Sequence, residues 1–403
     1  TEESFMAPVQ NWLNYLTLKA TYGIQGNALS NKSMDLILKM EGVDNVYKQY
    51  YASISDIPNP NLSWERTTSW NFGMELELFK MFNLNLEYYT RSSNAIVSQD
   101  VPYEYGKTNL ELNGGLIDNK GIEFTVAFTP VRTKDFALSV SLNSSKNWNK
   151  AKSTVINPKC YEMITPFSDR LMKKGYAVGS FWSFSFAGLS PEDGRPLFNY
   201  FDVEEAERDP NMDPTKFMVY SGQKDPYFTG GLNLGIRYKS LMLNSNFALL
   251  LGGKKRLPNP YNKFSSGKVP EPYENLSRTL LKRWKNPGDE LKTSIPGLVR
   301  GNIDPRITAP DNYSINWYWF WANSDAMVVD ASFFRCRQIN LTWNMNLEMC
   351  KRLGIKTLAL SATINNVFVI ANSRFDGYDP ELLTNGVESV MPRVYSLGIN
   401  VGF

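Results

Sequence analysis

Apolar and polar positions alternate along most of this chain. Every second residue is apolar or small at Leu16, Leu18, Ala20 and Tyr22, and again at Phe72, Met74, Leu76 and Leu78. The pattern returns at Phe82–Tyr88, Ile122–Phe128, Phe136–Leu142, Leu232–Tyr238 and Leu241–Leu249, the last broken at Ser245. It continues at Ile339–Leu347, Leu358–Ile364 and Tyr395–Phe403. The residues between are mostly Asn, Ser, Thr, Gly, Glu, Lys and Arg. A period of two is the period of a β-strand, so each segment predicts a strand with one greasy face and one wet face.

Alternation alone does not separate a soluble β-sandwich from a membrane barrel, but the connections do. Lys80–Met81, Val131–Asp135, Lys239–Ser240 and Glu348–Thr357 are short. Arg91–Asn119, Ser144–Gly179, Gly252–Val328 and Asn365–Pro392 are long. Short turns at one end and long loops at the other are the habit of transmembrane barrels, whose strands need only about 9–11 residues each. With a periplasmic C-terminus, strand parity calls for two more strands between Leu142 and Leu232. Phe181–Leu189 and Leu197–Phe201, joined by a turn at Glu192-Asp193-Gly194, are the expected pair. The fold class expected is all-β: a transmembrane antiparallel β-barrel with about twelve strands in residues 1–403. Its outer loops are expected near 24–62, 91–119, 144–179, 203–228, 252–328 and 365–392.

Composition agrees with this picture. Aromatics make up 13% of the chain, which suits strands and membrane interfaces. No run of about 18 apolar residues occurs, so no transmembrane helix is expected. A net charge of +3 with no basic stripe argues against nucleic acid. Cys160, Cys336 and Cys350 are few and widely spaced, which argues against a zinc site or disulfide framework. No His occurs, which removes the commonest general base and metal ligand, so no catalytic site, metal or cofactor is expected. The chain opens at Thr1 without Met, basic region or apolar stretch, so either the mature protein starts here or an N-terminal portion lies upstream.

Several segments occur in a telling order: Tyr22-Gly-Ile-Gln-Gly-Asn27, Asn59-Pro-Asn-Leu-Ser-Trp-Glu65, Asn119-Lys-Gly-Ile-Glu123 and Ala331-Ser-Phe-Phe-Arg335. They are followed by Gln338-Ile-Asn-Leu341, Asn365-Asn-Val-Phe368 and Arg374-Phe-Asp-Gly-Tyr-Asp-Pro-Glu381. In this order and spacing the chain resembles the C-terminal barrel portion of the SusC/RagA-type TonB-linked outer-membrane transporters of Bacteroidetes. The resemblance implies a 22-stranded barrel, the remaining N-terminal strands and a lumen-filling plug lying outside this chain. It also implies a SusD-like surface lipoprotein as lid, energy from TonB, contact with outer-membrane lipid, and oligosaccharides or oligopeptides as substrates.

Candidate residues follow from position and chemistry. Tyr395, Leu397, Ile399, Val401 and Phe403 form a terminal alternating strand ending on an aromatic ring. That looks like the signal read by barrel-assembly machinery, which templates a free strand edge. On that strand Ser396, Gly398, Asn400 and Gly402 are expected to face the lumen. Parity also puts Asn233, Arg237, Arg335 and Arg337 on the lumen side, toward plug or substrate. Trp317, Tyr318, Trp319 and Trp321 could stack on sugar or on the lipoprotein, the plainer reading being an interface girdle or packing inside a long loop. The run Asp202–Asp213 and the cluster Lys254-Lys255-Arg256 read as solvated loop rather than as calcium or lipopolysaccharide sites. Asp376–Glu381 reads as a structural turn. The leading expectation is a nutrient importer. The alternatives are a non-transporting scaffold barrel in an assembly or secretion complex, and a soluble carbohydrate-binding sandwich.

Overall fold

The computed structural model describes residues 4–27, 35–57, 59–155, 160–164, 172–199, 213–216, 218–261, 273, 276–298, 317–383 and 391–403. Ten strands form one antiparallel sheet in which every strand pairs with its neighbours in sequence. They are β1 (Leu13–Asn27), β2 (Glu65–Leu78), β3 (Phe82–Asp100), β4 (Asn109–Arg132) and β5 (Phe136–Thr154). The second half holds β6 (Phe228–Tyr238), β7 (Leu241–Leu251), β8 (Phe333–Asn344), β9 (Thr357–Ala371) and β10 (Val394–Gly402). This is an up-and-down meander, the topology of a barrel wall.

The register joins the apolar positions into continuous rows. One row runs Leu16, Leu76, Leu84, Val126, Leu142, Leu232, Phe247, Cys336 and Phe368 across nine strands. The neighbouring residues make a polar row on the opposite face: Glu77, Asn83, Ala127, Ser141, Asn233, Asn246, Gln338 and Asn365. A one-residue slip would exchange these faces, so the pattern specifies register strongly. A wall in lipid must turn its apolar face outward, which makes the polar face the lumen lining.

The short connections lie at one end. β2 and β3 are joined through Phe79–Met81, where Phe79 (φ 52°) and Lys80 (φ 55°) adopt the left-handed conformation. β6 and β7 are joined by Lys239–Ser240, with Lys239 at φ 52°. Between β8 and β9 the alternation expected to reach Leu347 stops at Asn344, and a helix spans Leu347–Arg352. Asn346 caps it, its side chain accepting from the Glu348 amide at 3.1 Å.

Two expectations change. The segment 91–119 is largely strand: β3 and β4 stay paired up to Asp100 opposite Asn109, so the wall projects well beyond a membrane crossing. The two extra strands between Leu142 and Leu232 are real but are not wall strands. Ser180–Phe184 pairs with Met218–Gln223, and Phe186–Leu189 pairs with Pro196–Phe198. β5 pairs directly with β6, Leu142 opposite Leu232, so one long connection already satisfies strand direction. Among the described residues the wall therefore has ten strands, not the expected twelve. All five residues of Ser180–Phe184 are buried, a loop-core pattern unlike the half-wet wall. Positions 200–201 of the expected second strand lie outside the described residues.

The densest packing is in the long connections, not in the wall. Trp182, Phe184, Met163, Ile164, Met218 and Phe320 form one cluster. Tyr261, Leu280, Tyr318, Trp321 and Met327 form a second. A third joins Val329, Ala331, Phe375 and Leu383. The loops thus make a folded body at one end of the sheet.

Candidate functional site

The lumen face and the loop body above it form the candidate site. Asn233 lies between Ser141 and Asn246, and the Asn246 side-chain amide donates to Gln338 Oε1 at 3.1 Å. Arg237 sits on the same face near the short-turn end. Its guanidinium donates to the carbonyls of Thr133 and Lys134, each at 3.0 Å, tying β6 to the β4–β5 turn. The lumen face of β2–β4 also carries Glu75, Glu77, Glu87 and Glu123, with Glu87 directly opposite Glu123. Lys19 on β1 pairs with Glu75 at 2.5 Å.

Arg335 and Arg337, at the long-loop end of β8, lead to the turn that sequence reasoning took as structural. The Arg335 side chain is 3% exposed and that of Asp379 is 4% exposed. Arg335 Nη2 donates to both Asp379 carboxylate oxygens, at 2.6 and 2.7 Å. Glu381 lies 3.3 Å from Arg335 Nε and takes a hydrogen bond from Arg337 at 2.9 Å. A bulge at Arg337, where the register shifts between Cys336 and Gln338, lets both arginines reach this loop. Asp379 Oδ1 also accepts from the Glu381 amide at 2.8 Å, so the carboxylate shapes its own turn.

The cluster Lys254-Lys255-Arg256 is not the solvated loop the sequence suggested. It forms a short strand paired with Val328–Asp330. Lys254 pairs with Asp330 at 2.7 Å. Lys255 donates to the Glu381 carbonyl at 3.3 Å and the Leu383 carbonyl at 2.9 Å. Burial lowers the Lys255 pKa, against the pull of Asp379 and Glu381. Arg256 is buried deeper. Its guanidinium donates to Asn323 Oδ1 (2.9 Å), the Trp182 carbonyl (3.1 Å) and Ser183 Oγ (2.9 Å), and lies 5.5 Å from the Phe181 ring centre. Burial pushes its pKa down to about 10. The physical reason is strand pairing: once these residues join Val328–Asp330, alternate side chains must point into the loop body.

The aromatic segment forms a helix, Trp317–Ala322, which Trp317 opens. Tyr318 and Trp321 are buried in the second cluster, and Trp319 packs against the first. Tyr318 stacks on Tyr261 at 4.2 Å and donates to the Gly297 carbonyl at 3.0 Å. Trp321 donates to the Ser294 carbonyl at 2.8 Å. Neither ring presents a free face to a ligand here; packing inside a long loop describes both. Burial raises the Tyr261 hydroxyl pKa, and that hydroxyl donates to the Pro296 carbonyl. The core roles of Trp182 and Tyr261, and the partner of Asp379, are not legible in the sequence. The run Phe181-Trp-Ser-Phe-Ser-Phe186, expected as part of a wall strand, lacks charged positions, which is the one signal in the sequence for its place in the core. Of the acidic run Asp202–Asp213 only Asp213 is described, and it pairs with Lys173 at 2.7 Å. Among the described residues no cluster of potential metal ligands occurs.

Tyr395, Leu397, Ile399 and Val401 project from β10, opposite Ile364, Ala362, Leu360 and Leu358 of β9. All four, and Phe403, are exposed, and β10 is paired on one side only.

A ten-stranded meander with continuous apolar rows outside, a polar face inside and folded loops at one end is part of an outer-membrane β-barrel. The chain belongs to the family of TonB dependent receptor-like β-barrels, which it matches over residues 5–254. It is 28% identical to the TonB-dependent receptor SusC of Bacteroides thetaiotaomicron, over all of this chain and 39% of that protein. It is 24% identical to TonB-dependent receptor P39 of Formosa agariphila, over 96% of this chain and 39% of that one. The structure of the RagAB peptide transporter superposes over all of this chain and 42% of its own, with a TM-score of 0.73 at 22% identity. The SusC/RagA-type character read from the ordered motifs is borne out, and the soluble sandwich is set aside. The chain spans about two-fifths of the length of these relatives, which are receptors and transporters.

Proposed function

We propose that the parent protein imports oligopeptides or oligosaccharides across the outer membrane, powered through TonB and working with a SusD-like surface lipoprotein. The long loops face the cell exterior, and the short turns face the periplasm. The observation that carries this reading is the loop body fastened to the wall by the buried Arg335–Asp379 pair. It gives the barrel an ordered mouth above a polar lumen face, suited to handing solutes to a pathway inside. The plug and the remaining strands of a 22-stranded barrel belong to the parent protein outside residues 1–403. Glu75, Glu77, Glu87 and Glu123 would meet basic groups of that plug.

The test is uptake by cells expressing the parent protein, using labelled oligopeptides and oligosaccharides, with and without a protonophore. Import of one class that stops when the proton gradient collapses is the expected result. An abundant, correctly inserted barrel that takes up neither class would instead favour a scaffold role in an outer-membrane assembly.

A further inference from the structure

We propose that the outward face of β4 and β5, just above the lipid-facing band, is a binding site for a phosphorylated glycolipid of the outer leaflet. Three successive rows carry the argument. The lower row, Ala20, Phe72, Tyr88, Ile122, Lys146 and Phe228, is apolar except for Lys146. The next, Tyr22, Trp70, Thr90, Lys120 and Trp148, mixes aromatic rings with a cation. The third, Ile24, Thr68, Ser92, Asp118 and Lys150, is mostly polar. The hydrocarbon boundary therefore falls within these rows, where aromatic side chains prefer to sit.

Lys120, Lys146 and Lys150 all surround Trp148 on the face that meets lipid. Lys120 is its direct cross-strand partner, and the other two lie two residues before and after it. Residues so related sit on one face within reach of one another. Lys146 Nζ lies 4.9 Å from the Trp148 ring centre and 5.8 Å from that of Tyr227. Lys120 and Lys150 are exposed. Asp118 is the one carboxylate in these rows, and it is already held by Lys152 at 2.7 Å and by the Ser92 hydroxyl at 2.8 Å. The result is an excess of positive charge at headgroup height around the Trp148 ring, with Lys146 Nζ over that ring. A ligand that fits carries phosphate on a sugar, so that the anion meets the lysines while the sugar packs beside the Trp148 side chain. A nearby protein partner would have to share this strip with the acyl chains that cover the row below, which favours a lipid. The site rests on the orientation proposed above, which cysteine labelling of the long loops on intact cells checks separately.

The experiment uses the parent protein, inserted in nanodiscs of phosphatidylcholine doped with diphosphoryl lipid A or with its dephosphorylated form. Native mass spectrometry reads the retained glycolipid. Each lysine near a charged membrane surface contributes about fivefold, so the variant Lys120→Gln/Lys146→Gln/Lys150→Gln is expected to lose about a hundredfold in retention of lipid A. A control variant with Lys282, Lys285 and Lys292 changed to Gln, on a loop, retains it. For the unmodified protein, raising salt from about 50 to about 500 mM weakens retention, since exposed charges are screened. Equal retention of lipid A by the triple variant and the unmodified protein overturns the proposal. So does equal retention of phosphorylated and dephosphorylated lipid, or indifference to salt.

Discussion

The buried pair Arg335–Asp379 is the residue on which the mouth depends most directly. Both groups are nearly out of water, and the attraction between them offsets desolvation only while both remain. Arg335→Ala strands the Asp379 charge and is expected to cost about 3–5 kcal/mol of local stability, whereas Asp379→Ala leaves Arg335 with Glu381 and is expected to cost less. The double variant Arg335→Ala/Asp379→Ala is expected to cost less than the two singles combined, because Asp379 is no longer left charged and unpaired and Glu381 keeps Arg337. Limited proteolysis around 376–383 in the inserted barrel checks this. Equal, additive effects would mean the pair does not hold the loop. Arg256 poses the opposite case. Its partners are neutral oxygens on two separate segments, with the Phe181 ring beside them, so no carboxylate supports its burial. Arg256→Lys keeps the charge but loses the planar fork, and is expected to loosen the loop body by about 1–3 kcal/mol. A red shift of tryptophan emission, Trp182 being buried beside it, would report the loosening.

At the scale of elements, the faces of the strands make the sharpest claim. Leu142 and Asn143 are adjacent on β5, and the register sends them to lipid and lumen respectively. Leu142→Arg is expected to cost about 2–4 kcal/mol in guanidinium unfolding from vesicles, whereas Asn143→Arg is expected to be tolerated. A reversed order would place the register one residue off. The small strands in the loops depend on charge instead. Burial works to raise the Asp330 pKa, but hydrogen bonds from Lys254 and Ser332 win and hold it below the usual carboxylate value. A carboxyl lowered in the folded state adds stability above its unfolded pKa, near 3.8, and loses it as pH falls through the folded value. Pepsin cleavage near 254–256 and 328–330 is therefore expected to rise as pH drops below about 4, and Asp330→Asn should show it at higher pH already.

These elements also show what was legible beforehand. Every wall strand is marked by alternation, because each has lipid on one side and water or polar groups on the other. Ser180–Phe184 is buried throughout, and Lys254–Arg256 and Val328–Asp330 are three-residue strands paired within the loops, so their sequences carry no period to read. Strand direction alone does not separate a strand folded inside a loop from a wall strand, which is why twelve are expected where ten are found. The site was harder still. The turn at Asp376–Glu381 was visible as turn chemistry, yet its partners Arg335 and Lys255 come from distant segments, and only the fold brings them together. The lysines around Trp148 alternate within an ordinary strand pattern, and their meaning depends on the register with β4.

At the scale of the whole molecule, the governing fact is that β1 and β10 each pair on one side only. In lipid an unpaired strand edge leaves a row of amide and carbonyl groups with no water to meet, at several kcal/mol each, so open sheets do not span membranes. The exposed apolar rows compound the problem, since the outward face is suited to lipid and to nothing else. The relatives are about two and a half times as long as this chain, which fits a parent whose further strands bridge the two edges. Residues 1–403 expressed alone are therefore expected not to insert as a closed barrel, whereas the parent protein should. Heat-modifiability on gels reads the difference directly: a folded barrel migrates faster before boiling than after. A heat-modifiable, protease-resistant band from residues 1–403 alone would show that the ten strands close on themselves, and the 22-stranded architecture would then have to be abandoned.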